Sequence, residues 1–209
     1  MLRYAAWSPG RVQVAAGTGL VAVLLLGVAE SVHLWRALGL AAAVSVGVGA
    51  WAMDEPSARV VDAVPRSLRW RTVARVLTLA PVSTAWLVFA HHASGQSQPL
   101  PGSGRGWPLA ATGVGAVLVG ASLATVLRRR GWAAPGQQVA VSVGLVVAAL
   151  GAFPKHLWAN LAMFPIDGDA DWAWALRFWG GAFGLSLVAL VVATSEGGAL
   201  NRAGRSRVT

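Results

Sequence analysis

Residues 109–127, LAATGVGAVLVGASLATVL, run for nineteen positions without a charged side chain and end on Arg128, Arg129 and Arg130. A stretch of about 20 apolar residues crosses the hydrocarbon layer of a bilayer as one helix, and the arginines that close it mark an aqueous edge. Five more stretches of similar character accompany it: Val12 to Ala29, Leu34 to Met53, Val73 to Ala90, Val139 to Phe153 and Phe178 to Thr194. The expected fold is therefore an all-α polytopic membrane protein with six transmembrane helices in one transmembrane domain over residues 1–209. An open sheet edge in lipid would leave N–H and C=O groups unpaired at several kcal/mol each, which leaves helices as the economical choice.

Orientation follows from the basic residues between the apolar stretches. Arg3 and Arg11 precede the first, Arg59, Arg66, Arg69, Arg71 and Arg75 lie at the second connection, Arg128 to Arg130 follow the fourth, and Arg202, Arg205 and Arg207 end the chain. Those are thirteen of the seventeen basic residues, and six alternating crossings put all of them on one side. Arg36, Arg105, Lys155 and Arg177 fall on the other. Both termini are accordingly expected in the cytoplasm. Heavy use of Ala, Val, Gly and Arg beside a single Lys looks like a GC-rich bacterial genome, so the expected location is the bacterial cytoplasmic membrane. The first apolar run is long and soon followed by Glu30, His33 and another span, which reads as an uncleaved helix rather than a signal peptide.

The formal charge of +9 is spread over short membrane-flanking loops and forms no basic domain. Attraction to anionic lipid headgroups accounts for it better than nucleic acid does. The absence of cysteine excludes disulfides and thiolate metal sites.

Met1 to Arg11, with Tyr4, Trp7 and Pro9, reads either as a segment lying along the cytoplasmic surface or as a frayed end with a Trp anchor. Glu30 and His33 are three apart in an outside hairpin and read as an ordinary interfacial polar pair. Asp54-Glu55-Pro56 opens the most structured cytoplasmic connection and reads as a helix start, with Asp54 as N-cap. Val60, Val64 and Leu68 then recur every four residues, Arg59, Asp62, Arg66 and Arg69 take other faces, and Pro65 bends the element. This amphipathic stretch either lies on the membrane or serves as a handle for a cytoplasmic partner.

Pro81 is expected to kink the third span or to open a local gap in its hydrogen-bond ladder, and His91 and His92 end that span at the outer face. Adjacent histidines point about 100° apart on a helix and do not make a haem site. Ser94 to Trp107 reads as a flexible outside loop. Between the fifth and sixth spans, Lys155 to Phe164, containing Trp158 and Asn160, is apolar enough to enter the membrane edge as a short re-entrant helix; Pro165 to Asp171 reads as a turn. Asp167, Asp169 and Asp171 alternate as in calcium loops, but the bidentate Glu of such a loop is absent, and no metal or cofactor is expected. Small residues four apart, Gly39 with Ala43, Ala116 with Gly120, Gly144 with Ala148 and Gly180 with Gly184, permit close helix packing in lipid.

No charged side chain falls near the middle of any span, which disfavours ion-coupled transport. There is no HExxH, no catalytic Asp pair, no histidine embedded beside Ser45, Ser122 or Ser186, and no Walker A loop around Lys155. The chain is not expected to be an enzyme.

In layout it resembles the six-span membrane subunits of ABC transporters of the type-two exporter superfamily, in a divergent actinobacterial form. The resemblance lies in Met1 to Arg11 as surface helix, Asp54 to Arg69 as coupling helix, Lys155 to Asp171 as outer re-entrant segment, and the run Asp54-Glu55-Pro56-Ser57-Ala58, Val64-Pro65-Arg66, Arg71 to Arg75. The glutamate-rich, glycine-containing coupling segment of better-known members is not present as such. What the resemblance implies is a permease working with a cytoplasmic ATP-binding subunit and a second copy or a related six-span subunit. Asp54, Glu55, Arg59, Asp62, Arg66 and Arg69 would then contact the ATPase, Trp158, Asn160, Phe164 and Pro165 would lie in the outer re-entrant segment, and the substrate would be hydrophobic or amphipathic. Two other readings stay open: a non-transporting membrane anchor or assembly subunit, and a redox subunit drawing on His33, His91, His92 and His156.

Overall fold

A computed structural model describes residues 9–30, 37–54, 75–95, 106–132, 134–152 and 169–195. These form six helices: α1 (Pro9–Glu30), α2 (Ala37–Ala52), α3 (Ala80–Gly95), α4 (Gly106–Arg129), α5 (Pro135–Ala152) and α6 (Asp169–Ser195). No strand occurs among the described residues. Each of the six apolar stretches contains one of these helices. Those that cover Val12–Glu30, Arg75–Ser94 and Gly106–Arg129 are long and apolar enough to cross a membrane, and Ala37–Ala52 and Leu176–Val192 are shorter apolar segments.

Helix ends depart from expectation where local chemistry intervenes. Proline lacks an amide hydrogen, so Pro81 is accommodated in the first turn of α3 and not mid-span. Before it the chain makes a separate turn, in which the Thr78 and Leu79 amides donate to the Arg75 and Val76 carbonyls and the Thr78 hydroxyl donates to Arg75 O at 2.6 Å. The expected kink is thus a break between 75–77 and α3. The loop expected from Ser94 to Trp107 is shorter, since α3 continues to Gly95 and α4 already begins at Gly106. Likewise α6 begins at Asp169, inside the stretch expected as a turn as far as Asp171. The remaining re-entrant residues, Trp158, Asn160, Phe164 and Pro165, lie outside the described residues, as do Met1 to Ser8 and the His33 hairpin.

Pairwise contacts fix the helix directions. Arg75 reaches Met53 and Trp86 reaches Ser45, which sets α3 antiparallel to α2. Gly113 lies on Trp86 and Gly106 on Ala90 and Ser94, so α4 reverses again. Gly136 meets Ala50 and Asp54 while Ala140 lies by Gly47, which turns α5 against α2. Gly115 faces Trp179 and Ser122 bonds Ser186, so α6 runs parallel to α4. Gly17 lies on Val48 and Trp51 near the end of α2, and residues 31–36 are too few to carry the chain back along α1, so α1 opposes α2. The directions therefore alternate, and Pro9, Asp54, Arg75, Arg128, Pro135 and Ser195 share one end of the bundle.

At the centre α2 and α4 run parallel and cross in backbone contact. A Cβ on Gly49 would strike the Val117 carbonyl, and one on Gly120 would strike the Val46 carbonyl. The two glycines are thus reciprocal, each seated on the other helix's main chain. Such approaches gain dispersion and Cα–H···O contacts, the forces that drive helix association where water exclusion is weak. Because α4 also carries α3, α5 and α6, it is well enclosed: 67% of its apolar window is buried, against 22% for α1.

Trp86 fastens α3 to this pair. It is fully buried, its ring lies on Gly113 of α4, and its indole N–H donates to Ser45 Oγ of α2 at 2.9 Å while the Ser45 hydroxyl donates to Ala41 O at 2.7 Å. A buried indole without an acceptor would cost about 1–3 kcal/mol, so Ser45 is the polar residue this apolar core needs. Outward faces carry large apolar side chains, among them Val23 and Leu26 of α1, Val88 of α3, Leu145 of α5 and Leu185 of α6. Such a belt matches hydrocarbon contact.

Of the four small-residue pairs, Ala116 with Gly120 lies at the close crossing, whereas Gly180 and Gly184 face open space. Gly120→Ala is expected to lower stability in detergent by about 1–3 kcal/mol, since the added methyl meets backbone. Gly184→Ala should stay within about 0.5 kcal/mol of wild type. Thermal unfolding monitored by size exclusion checks both, and equal effects would contradict the crossing.

Candidate functional site

The arginine-rich end of the bundle is built from helix termini whose polar backbone groups need partners. Helix α2 stops in a tight turn, with Met53 N–H donating to Ala50 O and Asp54 N–H to Trp51 O, both at 3.0 Å. The last four carbonyls of a helix have no partner within it. Here the Met53 carbonyl accepts from two guanidinium groups, Arg75 Nη1 at 3.3 Å and Arg128 Nη1 at 3.1 Å.

Asp54 solves the complementary problem at α5, whose first amides have no carbonyl to bond. Its Oδ1 accepts from Gly136 N–H at 2.7 Å and its Oδ2 from Gln137 N–H at 3.1 Å. This is an N-cap supplied from 82 residues away. Gly136 is needed because a Cβ there would meet the Ala50 carbonyl and the Asp54 carboxylate. Asp54 reads in the sequence as the opening of its own helix; in the structure its carboxylate is engaged on α5.

Arg128 is placed by the end of α4. Gly131 adopts φ +88°, the left-handed conformation that glycine takes without cost, and Gly131 N–H donates to Arg128 O at 3.0 Å and Trp132 N–H to Leu127 O at 3.3 Å. This termination holds Arg128 in the last turn, where its charge also opposes the helix dipole. The five-residue step from Arg130 to Ala134 then delivers α5 beside Asp54.

Both ends of the connection between α2 and α3 are consequently tied to one point. The chain leaves the bundle at Asp54, which holds α5, and re-enters at Arg75, which holds the Met53 carbonyl together with Arg128 of α4. Glu55, Arg59, Asp62, Arg66 and Arg69 lie on that connection and outside the described residues. At the other end of the bundle Glu30, His91 and His92 are exposed helix-terminal residues. Among the described residues no three acidic or histidine side chains gather into a metal site.

The sequence reading took Arg128 as a membrane-flanking charge and did not join it to the Met53 carbonyl, nor did it single out Gly136. Pro135-Gly136 after a triple arginine was the available signal: a proline at a helix start beside a residue that permits close approach.

The chain matches no known protein-family profile, no curated protein and no solved structure. What the site does must be read from its geometry.

Burial raises the Asp54 pKa above its ordinary 3.8, and this outweighs the Gly136 and Gln137 amides and the nearby Arg128 and Arg75 charges, which pull it down. A carboxyl whose pKa is raised on folding contributes stability below its unfolded pKa and loses it as pH rises through the folded value. Asp54→Asn keeps an acceptor for the α5 amides without the buried charge. Its stability relative to wild type should therefore climb as pH rises through that value and level out above it. Asp54→Ala, lacking any acceptor, should be less stable than Asp54→Asn throughout, by about 1 kcal/mol. Unfolding midpoints between pH 3 and pH 8 check this; parallel pH profiles for wild type and Asp54→Asn would contradict it.

Proposed function

We propose that the chain is the membrane-embedded subunit of an ATP-driven exporter, with six crossings, both termini cytoplasmic, and the segment 54–69 docking on a separate cytoplasmic ATPase. The observation that carries this reading is the double anchorage of the connection between α2 and α3. A free linker would dissipate an applied force in its own flexibility. This one begins and ends at a point where α2, α4 and α5 are bonded together, so a push on it moves three helices of the bundle as a unit. Rigid-body motion of that kind is how an energy-supplying partner shifts a membrane bundle.

The alternating helix directions support the orientation. They gather Arg75 and Arg128 to Arg130 at one end, and positive residues are retained on the cytoplasmic side. The close packing around Trp86, Gly113 and the α2/α4 crossing supports a path formed between two copies, or between this chain and a related subunit, and not through the bundle itself. The apolar outer belt suits a hydrophobic or amphipathic substrate. The same close packing also favours the second reading, a membrane anchor that moves nothing and holds its partners through the arginine-rich loops.

Purification of the tagged chain from its native membrane in mild detergent separates the two. The permease reading expects an ATPase bearing GxxxxGK[ST] to co-purify and to be lost when residues 55–69 are replaced by a neutral linker. Recovery of other membrane proteins alone, with no nucleotide-binding chain, would favour the anchor.

A further inference from the structure

Helices α1 and α5 both pack on α2, and a lateral groove of about 520 Å³ opens beside α2 between them. Its lining is apolar apart from Gln13. Gly17 of α1, Gly47 and Trp51 of α2 and Ala140 of α5 line it, with Trp51 beside both glycines and Ala140 beside Gly47. Ala43 lines it half-buried.

Three features bear on what fills it. The exposed apolar side chains of Leu20 and Leu40 line its mouth, so on the membrane reading it faces hydrocarbon. Its extent along α2, from Leu40 to Trp51, is about 16 Å at 1.5 Å per residue, close to the ~15 Å of one leaflet's hydrocarbon. It ends at Trp51 and Gln13, at headgroup depth for an indole, on the end of the bundle that carries Arg75, Arg128, Arg129 and Arg130. Met53 and Asp54, where Arg75 and Arg128 converge, lie only two and three residues beyond Trp51.

We infer that this groove holds one acyl chain of an anionic phospholipid from the leaflet at the arginine-rich end. Length and apolarity select the chain, and the positive potential of that end selects a negative headgroup over a zwitterionic one. The lipid fills the gap between α1 and α5, so it acts as a packing element of the bundle whether or not the chain transports anything. The inference rests on the membrane reading but not on an ATPase partner or on which end is cytoplasmic.

The test is native mass spectrometry of the full chain, purified in detergent and offered phosphatidylglycerol and phosphatidylcholine with identical acyl chains. Wild type should retain one phosphatidylglycerol in preference to phosphatidylcholine. Ala43→Leu, which fills the groove, should lower that retention by about tenfold, equivalent to ~1.4 kcal/mol. Ala16→Leu at the exposed rim should act in the same direction and decides the matter if Ala43→Leu folds poorly. Val188→Leu on the outer face of α6 should retain lipid as wild type does. Equal retention of the two lipids, or retention unchanged by either filling variant, would overturn the inference. A chain that stayed monodisperse without detergent would overturn the membrane reading with it.

Discussion

Everything in this bundle depends on two helices touching through their backbones. In lipid there is little water to expel between apolar surfaces, so helices associate through close packing and the few hydrogen bonds they can share. Gly49 against Val117 and Gly120 against Val46 provide the closest approach that α2 and α4 can make. Around this crossing the other helices find their places: α3 through Trp86, α6 through Trp179 and the Ser122–Ser186 hydroxyl pair at 3.3 Å, and α1 and α5 along α2. Larger residues at either glycine would move α2 and α4 apart, and the surfaces on which the others rest would no longer align.

The crossing also decides what happens at the bundle's end. Because α2 and α4 run parallel and close, their C-termini finish together, which brings the Arg128 guanidinium to the Met53 carbonyl. The turn after Gly131 then sets the start of α5 within reach of Asp54. A connection whose two ends meet such a knot is mechanically coupled to the helices, and that coupling is the physical basis for reading it as a lever. Among the described residues the other end presents exposed Glu30, His91 and His92.

The helices were legible because apolar length is a strong signal that needs no knowledge of the partner. Ala116 and Gly120 were legible as a close-packing pair for the same reason. Gly49 and Gly113 were not, since nothing local distinguishes them: their roles come from a carbonyl on α4 and an indole on α3 that sequence spacing cannot bring together. Gly180 and Gly184 carry the same pattern as Ala116 and Gly120 yet face outward, which shows that small residues permit an approach without choosing its partner. Asp54 was recognised as a capping residue by its chemistry, but its engagement with α5 was not. A carboxylate's preference for free amides is local, while the identity of those amides is set by tertiary packing.

The central claim is that the helix directions alternate across a membrane, with the Asp54 knot and its loop on the cytoplasmic side. The chain contains no cysteine, so single cysteines placed at exposed sites report sidedness without background. Labelling intact cells with a membrane-impermeant maleimide tests the claim directly for Ser94→Cys at the end of α3 and for Ala134→Cys between α4 and α5. The account predicts that position 94 labels in intact cells and position 134 only after permeabilisation. Labelling of both from the outside, or of position 134 alone, would contradict it.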